Sequence, residues 1–213
     1  MPPQSQPRSP SPSPGTESAP PLLVVISGPS GVGKDSVLAE LRQDRALSFV
    51  VTATDRPMRP GERDGYDYHF VSTAQFEQLI ADDELIEWAS VYGQYKGVPK
   101  QGIREALAGG RNVVLRIDVQ GAATVRRIAP DALLIFIAPS SIDELRERLA
   151  QRATENAGEM DRRLATADRE MLALGHFDYV IFNRAGQLAE TVAQIRLVMA
   201  AEKLRVRPRH VTL

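Results

Sequence analysis

The sequence predicts an α/β fold in which helices flank a central parallel sheet, and two patterns support this prediction. Short, continuous apolar runs recur along the 213-residue chain, as expected for strands that are buried on both faces. Segments with helical periodicity lie between or after these runs, and such alternation is typical of a parallel sheet covered on both sides. The predicted strands span residues 22–26, 113–117, 133–137 and 179–182.

The predicted helices follow from periodicity and from capping residues. They span about 35–44, 120–129, 141–152, 160–174 and 188–204. Ser141 and Glu144 match a capping box, in which each side chain bonds the backbone N–H of the other residue. We therefore expect the third of these helices to begin at Ser141.

Residues 53–99 interrupt the alternation of strands and helices. This stretch holds a loop rich in Pro, Gly and Arg, two short strands at 68–71 and 87–92, and a helix at about 73–82 that follows Ser72. We interpret it as an inserted α+β subdomain outside the parallel sheet. The ordered domain is predicted to span 22–206, followed by a C-terminal tail at 207–213.

The segment 1–21 consists mostly of Pro, Ser and Gln and has no apolar side chain larger than Ala after Met1. Such a segment buries too little surface to offset its ordering entropy, so we predict disorder. A proline-rich ligand for another protein is the alternative, and the composition favours a plain solvated tail.

The composition of the whole chain excludes several classes of protein. The 26 Lys and Arg nearly balance the 27 Asp and Glu, so we expect neither nucleic acid nor a membrane as partner. The chain has no Cys, which excludes disulfides and thiolate metal sites. No apolar run approaches the roughly 20 residues of a membrane span, and no secretory signal pattern is present. We expect a cytoplasmic protein.

A glycine-rich motif directly follows the first predicted strand and precedes a helix. The pattern Gly28-x-x-x-x-Gly33-Lys34 is that of a P-loop, in which backbone N–H groups, a helix N-terminus and the lysine bind phosphates. A strand-to-helix turn without a ligand is the alternative, which the combined spacing, lysine and flanking elements disfavour. The predicted triphosphate-binding residues are Gly28, Pro29, Ser30, Gly31, Val32, Gly33 and Lys34.

The residue after Lys34 departs from the usual P-loop. A Ser or Thr whose hydroxyl binds Mg²⁺ is usual at this position, whereas this chain has Asp35, followed by Ser36. A carboxylate can hold Mg²⁺ directly or through water, although it also places a negative charge near the triphosphate. We predict Mg²⁺ as cofactor, with Asp35 or Ser36 as its candidate ligand.

Two arginine clusters are further candidates for phosphate binding. Arg56 and Arg59 lie three residues apart on a Pro-rich loop, shortly before Tyr68, and two guanidinium groups with a phenol suit a dianionic phosphate. Arg148 and Arg152 share a helical face and precede a loop at 153–159 and Arg163. A solvated basic loop and an Arg-rich surface helix paired with Glu are the alternatives for the two clusters.

Four motifs, in order along residues 22–204, resemble those of guanylate kinases. They are GPSGVGK at 28–34, the run from Arg56 to Phe70 that contains RPMRPGE and Tyr68, IEW at 86–88, and IDVQG at 117–121. The run from Arg56 to Phe70 is the most specific, since many NTPases share the P-loop.

This resemblance implies a P-loop kinase fold with a GMP-binding subdomain at about 53–99 and a small lid at about 148–163. It implies that Glu87 accepts hydrogen bonds from both donor groups on one edge of guanine. It also implies that Asp118 lies near the acceptor and near Mg²⁺, which it would contact through water. Without the resemblance, a helix-capping role for Asp118 fits its position in the sequence equally well. The resemblance assigns GMP binding to Thr52, Arg56, Arg59, Tyr68, Glu87 and Asp118, and we add Lys96 because it occupies a phosphate-contacting position of the family. ATP binding is predicted also for Asp35, Ser36 and Asn183, and catalysis for Lys34, Arg148, Arg152 and Arg163.

The chain departs from the pattern of many guanylate kinases at four positions. Lys96 replaces a Tyr that contacts phosphate, and Val98 replaces a hydroxyl that contacts the base. Arg116 and Arg184 each replace a frequent Asp. Lys96 can still meet a phosphate as a point charge, whereas Val98 cannot hydrogen-bond the base.

The function implied by the resemblance is ATP-dependent phosphorylation of GMP to GDP by an enzyme of purine metabolism. We expect ATP and GMP as ligands, dGMP as a further candidate acceptor, and a monomer or homodimer. Two alternatives stay open: a ribose 1,5-bisphosphate phosphokinase, which shares the Gly-Lys-Asp-Ser sequence at 33–36, and a guanylate-kinase-like binding module without activity. The run from Arg56 to Phe70 disfavours the first, and the retained lysine and arginines disfavour the second.

Overall fold

The computed structural model of the chain describes residues 19–91, 93–152 and 157–213. At 91, 150–152, 157–161 and 163 it describes the backbone only. The segment 1–21, predicted to be disordered, therefore lies outside the described residues except for its last three positions.

Five parallel strands form the central sheet, in the order β2-β7-β1-β8-β9. Their bounds are Leu23–Ser27 for β1, Leu47–Phe49 for β2, Asn112–Arg116 for β7, Leu133–Ala138 for β8 and Tyr179–Phe182 for β9. The predicted α/β class with a central parallel sheet is confirmed. Strand β2 was missed, because it is a three-residue edge strand in which only Leu47 is fully buried.

The helices are α1 (Lys34–Leu41), α2 (Thr73–Ala81), α3 (Lys100–Ala108), α4 (Val119–Ile128), α5 (Ile142–Arg152), α6 (Ala157–Met171) and α7 (Leu188–Glu202). Helix α3 was not predicted, since it contains Gly102 and buries only Lys100, Ile103 and Ala106. The helix predicted at 160–174 begins earlier, and its final residues belong to a 3₁₀ helix at Leu172–His176.

The two faces of the sheet are covered by different helices, which explains the continuous apolar runs. Val24 and Ile26 of β1 face one hydrophobic cluster together with residues of α1 and α7. Leu23 and Val25 face the other, together with residues of α3 and α4. Each of these four side chains is at most 1% exposed, so neither face of the strand tolerates a polar residue.

A second sheet of four strands lies within the predicted insertion, in the order β4-β3-β6-β5. Its strands are β3 (Ala53–Thr54), β4 (His69–Phe70), β5 (Leu85–Val91) and β6 (Gln94–Pro99), and it has its own small core around Phe76. Strands β3 and β6 were not predicted, because β3 has only two residues and because Gly97 and Pro99 weaken the strand pattern of β6. Helix α2 carries a complete capping box between Ser72 and Gln75.

The predicted capping box at the start of α5 is present in half. Ser141 Oγ accepts a hydrogen bond from the Glu144 N–H at 3.1 Å. The Glu144 carboxylate bonds the Ser140 hydroxyl and the Arg148 guanidinium. Glu144 therefore connects the helix start to a residue one turn later.

The C-terminal segment 207–213 packs on the domain. Arg209 is 9% exposed, and its Nε donates to Glu202 at 2.6 Å, while Val211 and Leu213 pack against the second cluster. Within the described ranges, no helix combines the length and the apolar character that crossing a membrane requires.

Candidate active site

The P-loop connects β1 to α1 at the carboxyl edge of the parallel sheet, where ligands of open α/β sheets bind. Gly28, Gly31 and Gly33 have φ angles of 139°, 84° and 95°, which other residues rarely adopt. A Cβ at Gly28 would lie 2.1 Å from the Ile137 carbonyl oxygen of β8. The motif's glycines are therefore required by backbone conformation and by close packing of the loop on the neighbouring strand.

Lys34 folds back over the start of its own loop. Its Nζ donates to the carbonyl oxygens of Gly28 at 2.5 Å and Pro29 at 2.9 Å. Burial lowers the pKa of Lys34, and the nearby carboxylate of Glu170 works against this shift. The ammonium group is thus held beside the loop, with carbonyl groups as its partners.

Two predicted site residues support the loop from outside. Asn183 is 5% exposed, and its Nδ2 donates to the Val32 carbonyl at 2.8 Å while its Oδ1 accepts from the Thr191 hydroxyl at 3.0 Å. Arg148 donates to the same Val32 carbonyl at 3.0 Å and to the Asn183 carbonyl at 2.6 Å, and pairs with Glu144. Asn183 therefore uses both ends of its amide within the protein, and its contact with ATP stays a prediction.

A cavity of about 340 Å³ opens beside the loop. It is lined by Ser36, Arg148 and Asn183, and by residues 184–186, which follow β9. Its position next to the phosphate loop suits the nucleoside part of a triphosphate.

The candidate metal ligands lie around the start of α1. Asp35 is in the first turn of this helix and is 3.0 Å from the Arg116 guanidinium at the end of β7. Asp118 caps α4, since its Oδ1 accepts from the Gly121 N–H at 2.8 Å. No preformed group of three metal-binding side chains occurs in the part of the chain that the structure describes. Exposed carboxylate and hydroxyl oxygens beside a phosphate loop nevertheless fit Mg²⁺, which binds through few protein ligands, phosphates and water.

Glu87 brings the second sheet into the site. It lies on β5 beside a register shift, and burial, followed by the charge of Asp118, raises its pKa to about 7. A Cβ on Gly121 of α4 would come 3.1 Å from Glu87 Oε2. The glycine of the IDVQG motif therefore leaves room for this carboxylate, at the contact between the two sheets.

Arg56 is held mainly by the protein itself. It is 7% exposed, and its guanidinium bonds both oxygens of Glu62, at 2.6 and 2.9 Å, and the Pro57 carbonyl at 2.7 Å. This pairing keeps the pKa of Glu62 at about 2. The guanidinium carbon also lies 5.2 Å from the centre of the Tyr68 ring.

Two other residues predicted to bind the acceptor, Lys96 and Thr52, lie near Tyr68. Arg59 is exposed on the loop, and Lys96 Nζ lies 5.6 Å from the centre of the Tyr68 ring. Thr52, Tyr68 and the buried Val98 line a cavity of about 160 Å³, which Arg116 lines from the main sheet. Thr52, Tyr68 and Val98 therefore lie together in one cavity, which reaches the end of β7 in the main sheet.

Two predicted catalytic arginines fall outside the described side chains. Arg152 ends α5 and Arg163 lies within α6, while the chain between these helices at 153–156 is outside the description. Their roles, and the lid predicted at 148–163, stay predictions.

Two site residues were missed by sequence reasoning. Glu170 of α6 accepts a hydrogen bond from the P-loop Ser30 N–H at 3.3 Å, and burial raises its pKa. No sequence signal marks it, since acidic residues are ordinary on a helix surface. Glu62 could have been found, because it lies inside the run from Arg56 to Phe70 and is the acid nearest in sequence that follows Arg56 on this loop.

Comparisons with known proteins agree with this geometry. The family model for guanylate kinase matches residues 21–202. Guanylate kinase 2 of Oryza sativa subsp. japonica, chloroplastic/mitochondrial, is 47% identical over 195 residues, which cover 91% of this chain and 68% of that protein. Guanylate kinase of Gloeobacter violaceus is 47% identical over 181 residues, covering 84% and 87% of the two chains.

A solved structure leads to the same family. The crystal structure of guanylate kinase from Anaplasma phagocytophilum superposes with a TM-score of 0.67 at 31% identity and covers 89% of each chain. The family model spans most of the chain and includes both the P-loop and residues 53–99. The chain belongs to the guanylate kinase family.

Proposed function

We propose that this protein transfers the γ-phosphoryl group of ATP to GMP, with Mg²⁺, and releases ADP and GDP. One observation carries the proposal: the half-buried Glu87 carboxylate of the second sheet meets the carboxyl edge of the sheet that bears the P-loop. The ATP site at the P-loop and the carboxylate that would bind the guanine base therefore lie at the same edge of the central sheet.

The donor site is formed by the P-loop and its supports. The amides of the loop and the N-terminus of α1 would bind the phosphates, and Lys34 would move its ammonium group from two carbonyl oxygens to the phosphates. Asn183 and Arg148 hold the loop at Val32, so the amides are oriented before the nucleotide arrives.

Glu87 provides the basis for choosing guanine. Guanine presents N1–H and the 2-amino group on one edge, and one carboxylate can accept both hydrogen bonds. Adenine has no donor at N1 and would leave the partly desolvated carboxylate poorly paired. Because burial raises the pKa of Glu87 to about 7, donors from the base would favour its ionised form on binding.

The acceptor phosphate would be held by Arg59, Lys96 and Tyr68, with Arg56 in support. Arg59 is exposed on the loop, and Lys96 and Tyr68 lie close together. The guanidinium group of Arg56 is paired with both carboxylate oxygens of Glu62, so the main effect of Arg56 is to orient the loop and the Tyr68 ring. Lys96 thus supplies a charge where relatives of this family often have a phenol.

Asp35, Ser36 and Asp118 are the residues that would hold Mg²⁺, directly or through water. Bound there with ATP, the metal neutralises phosphate charge. The acceptor phosphate needs no strong base, so the protein's contribution is alignment and positive charge. Arg148 already contacts the P-loop at Val32 and would supply part of this positive charge. We propose that Arg152 and Arg163 add theirs when the lid closes over the phosphates.

The test is an ADP-release assay with ATP and, in turn, GMP, dGMP, AMP and ribose 1,5-bisphosphate. We expect turnover with GMP and little with AMP. Turnover with ribose 1,5-bisphosphate instead would identify the alternative kinase, and no turnover with any acceptor would favour a binding module.

Lys34→Met is the matched variant for this assay. It keeps most of the side-chain length and removes the charge, so we expect turnover to fall by about a hundredfold to a thousandfold while circular dichroism stays unchanged. Near-normal turnover in this variant would reject the assignment of the donor site.

A further inference from the structure

Two positions at which the chain departs from the usual P-loop motif and from the pattern of many guanylate kinases lie against each other. Asp35 follows Lys34 where a P-loop usually has Ser or Thr, and Arg116 ends β7 where many guanylate kinases have Asp. An Arg116 guanidinium nitrogen is 3.0 Å from Asp35 Oδ1. The parallel pairing of β1 with β7, which aligns Ile26 with Arg116, brings the two side chains together beside the P-loop.

The fold itself has little need of this ion pair. The Arg116 and Asp35 side chains are 52% and 68% exposed, and exposed pairs contribute little to stability because water and salt screen them. The position of the pair, at the carboxyl edge of the sheet beside the P-loop, is therefore more informative than its contribution to stability.

The charges of the pair matter for the phosphate site. Asp35 and Arg116 both act on the pKa of Lys34, in opposite directions, so both are within electrostatic reach of the P-loop lysine. A hydroxyl after Lys34 would carry no charge. The carboxylate of Asp35 adds one negative charge where a triphosphate must bind, and the guanidinium of Arg116 adds one positive charge beside it.

We propose that Asp35 and Arg116 act as one unit that replaces the single hydroxyl of other P-loops. Asp35 offers a carboxylate oxygen to the Mg²⁺ of the bound nucleotide, and Arg116 cancels the charge of Asp35 toward the phosphates. The proposal rests on the proposed function only in that the loop binds a magnesium nucleotide. Carboxylate oxygens are suitable Mg²⁺ ligands, and the exposure of Asp35 leaves it accessible to a metal.

The experiment is calorimetric titration of ADP into the full chain, with EDTA or with Mg²⁺, for a double-mutant cycle of Asp35→Ser and Arg116→Ala. Without metal, Arg116→Ala leaves one uncompensated negative charge, so we expect ADP to bind about tenfold more weakly. The double variant should bind metal-free ADP about as well as Asp35→Ser alone does, because Arg116 then has no carboxylate charge to cancel. Asp35→Ser alone should bind metal-free ADP more tightly than the wild type and gain less from Mg²⁺.

Arg104→Ala is the matched control. Arg104 forms an exposed pair with Glu84 at 2.7 Å and lines a cavity with Pro20 and Pro21, which precede β1 at the opposite edge of the sheet. This variant should bind ADP as the wild type does, with and without Mg²⁺. A loss as large as that of Arg116→Ala would mean a nonspecific charge effect and would overturn the proposal.

Two further outcomes would reject the proposal that Asp35 and Arg116 act together. If the effects of Asp35→Ser and Arg116→Ala on metal-free binding simply multiply in the double variant, the two residues act independently. If Asp35→Ser gains as much from Mg²⁺ as the wild type, Asp35 is not a metal ligand. Since only ADP binding is measured, a wild-type protein that binds ADP without phosphorylating GMP would reject the proposed function and leave this cycle intact.

Discussion

Substitution of Glu87 by Gln tests the acceptor site through both stability and selectivity. The change keeps the size of the side chain, removes its charge, and replaces one acceptor oxygen by an NH₂ donor. Burial, and to a lesser extent Asp118, raises the pKa of Glu87 from its ordinary 4.5 to about 7. The folded protein therefore opposes the same ionisation that guanine would require.

The sign of the stability effect follows from this shift. A carboxyl group whose pKa is raised on folding contributes its full stability below about pH 4.5, and this contribution is lost as the pH rises through about 7. The shift corresponds to at most about 3 kcal/mol, and solvent contact of the partly buried side chain reduces this value. Gln does not titrate, so Glu87→Gln avoids the loss.

The stability assay compares urea unfolding of wild type and Glu87→Gln at pH 4.5 and pH 8. We expect similar free energies of unfolding at pH 4.5 and a more stable variant at pH 8, by up to about 3 kcal/mol. The midpoint of thermal unfolding should rise by roughly 2–4 °C per kcal/mol for a chain of this size. Glu77→Gln, an exposed change on α2, is the control and should have no effect.

The kinetic assay uses the same variant. Loss of a charge-assisted hydrogen bond, with a donor now facing a donor of guanine, should lower kcat/KM for GMP by about a hundredfold, with a much smaller change for AMP. The KM for GMP in the wild type should rise as the pH falls below about 7, because guanine binds the ionised carboxylate. The phosphate of GMP titrates near pH 6 in both proteins, so the ratio of wild-type to variant KM isolates Glu87.

Unchanged selectivity together with a flat ratio of KM values would refute the role of Glu87 in reading guanine. A variant that loses selectivity but gains no stability at pH 8 would instead refute the raised pKa. The two readouts therefore separate the geometric argument from the electrostatic one.

Three further predictions concern neighbouring residues. Glu62→Gln breaks the two-pronged pairing with Arg56, so the KM for GMP should rise by about tenfold while the KM for ATP stays constant; steady-state kinetics with either substrate varied will check this. Gly121→Ala places a methyl group 3.1 Å from Glu87 Oε2 and should raise the KM for GMP several-fold with little loss of thermal stability; an unchanged KM would contradict the contact. Glu170→Gln removes a negative charge beside the P-loop and should tighten metal-free ATP binding several-fold in calorimetry, whereas weaker binding would mean that Glu170 orients the loop.

Most of the strands that were predicted from the sequence are strongly buried. The runs containing β1, β7 and β8 are apolar because helices or neighbouring strands cover them, whereas the run of β9 is apolar although Val180 and Phe182 are exposed. Elements β2, β3, β6 and α3 were missed because they are very short, because few of their side chains are buried, or because Gly and Pro interrupt the pattern. Tertiary contacts stabilise these elements where local sequence does not.

The P-loop is the part of the site that local sequence determines. Glycine, lysine and spacing encode a loop conformation that forms between adjacent elements, and the observed φ angles require those glycines. Glu87 is different, because an isolated Glu beside a Trp carries no signal. Only the packing of β5 against α4, with Gly121 leaving space, gives this carboxylate its raised pKa and its place beside Asp118.

The sequence by itself determined the α/β class, the phosphate loop and the family, since each depends on residues close together in the chain or on a matching order of motifs. Only the tertiary structure decided that Asn183 supports Val32 and that Asp35 meets Arg116. These contacts depend on strand order, register and loop closure. Such features join distant parts of the chain, and no local pattern of residues encodes them.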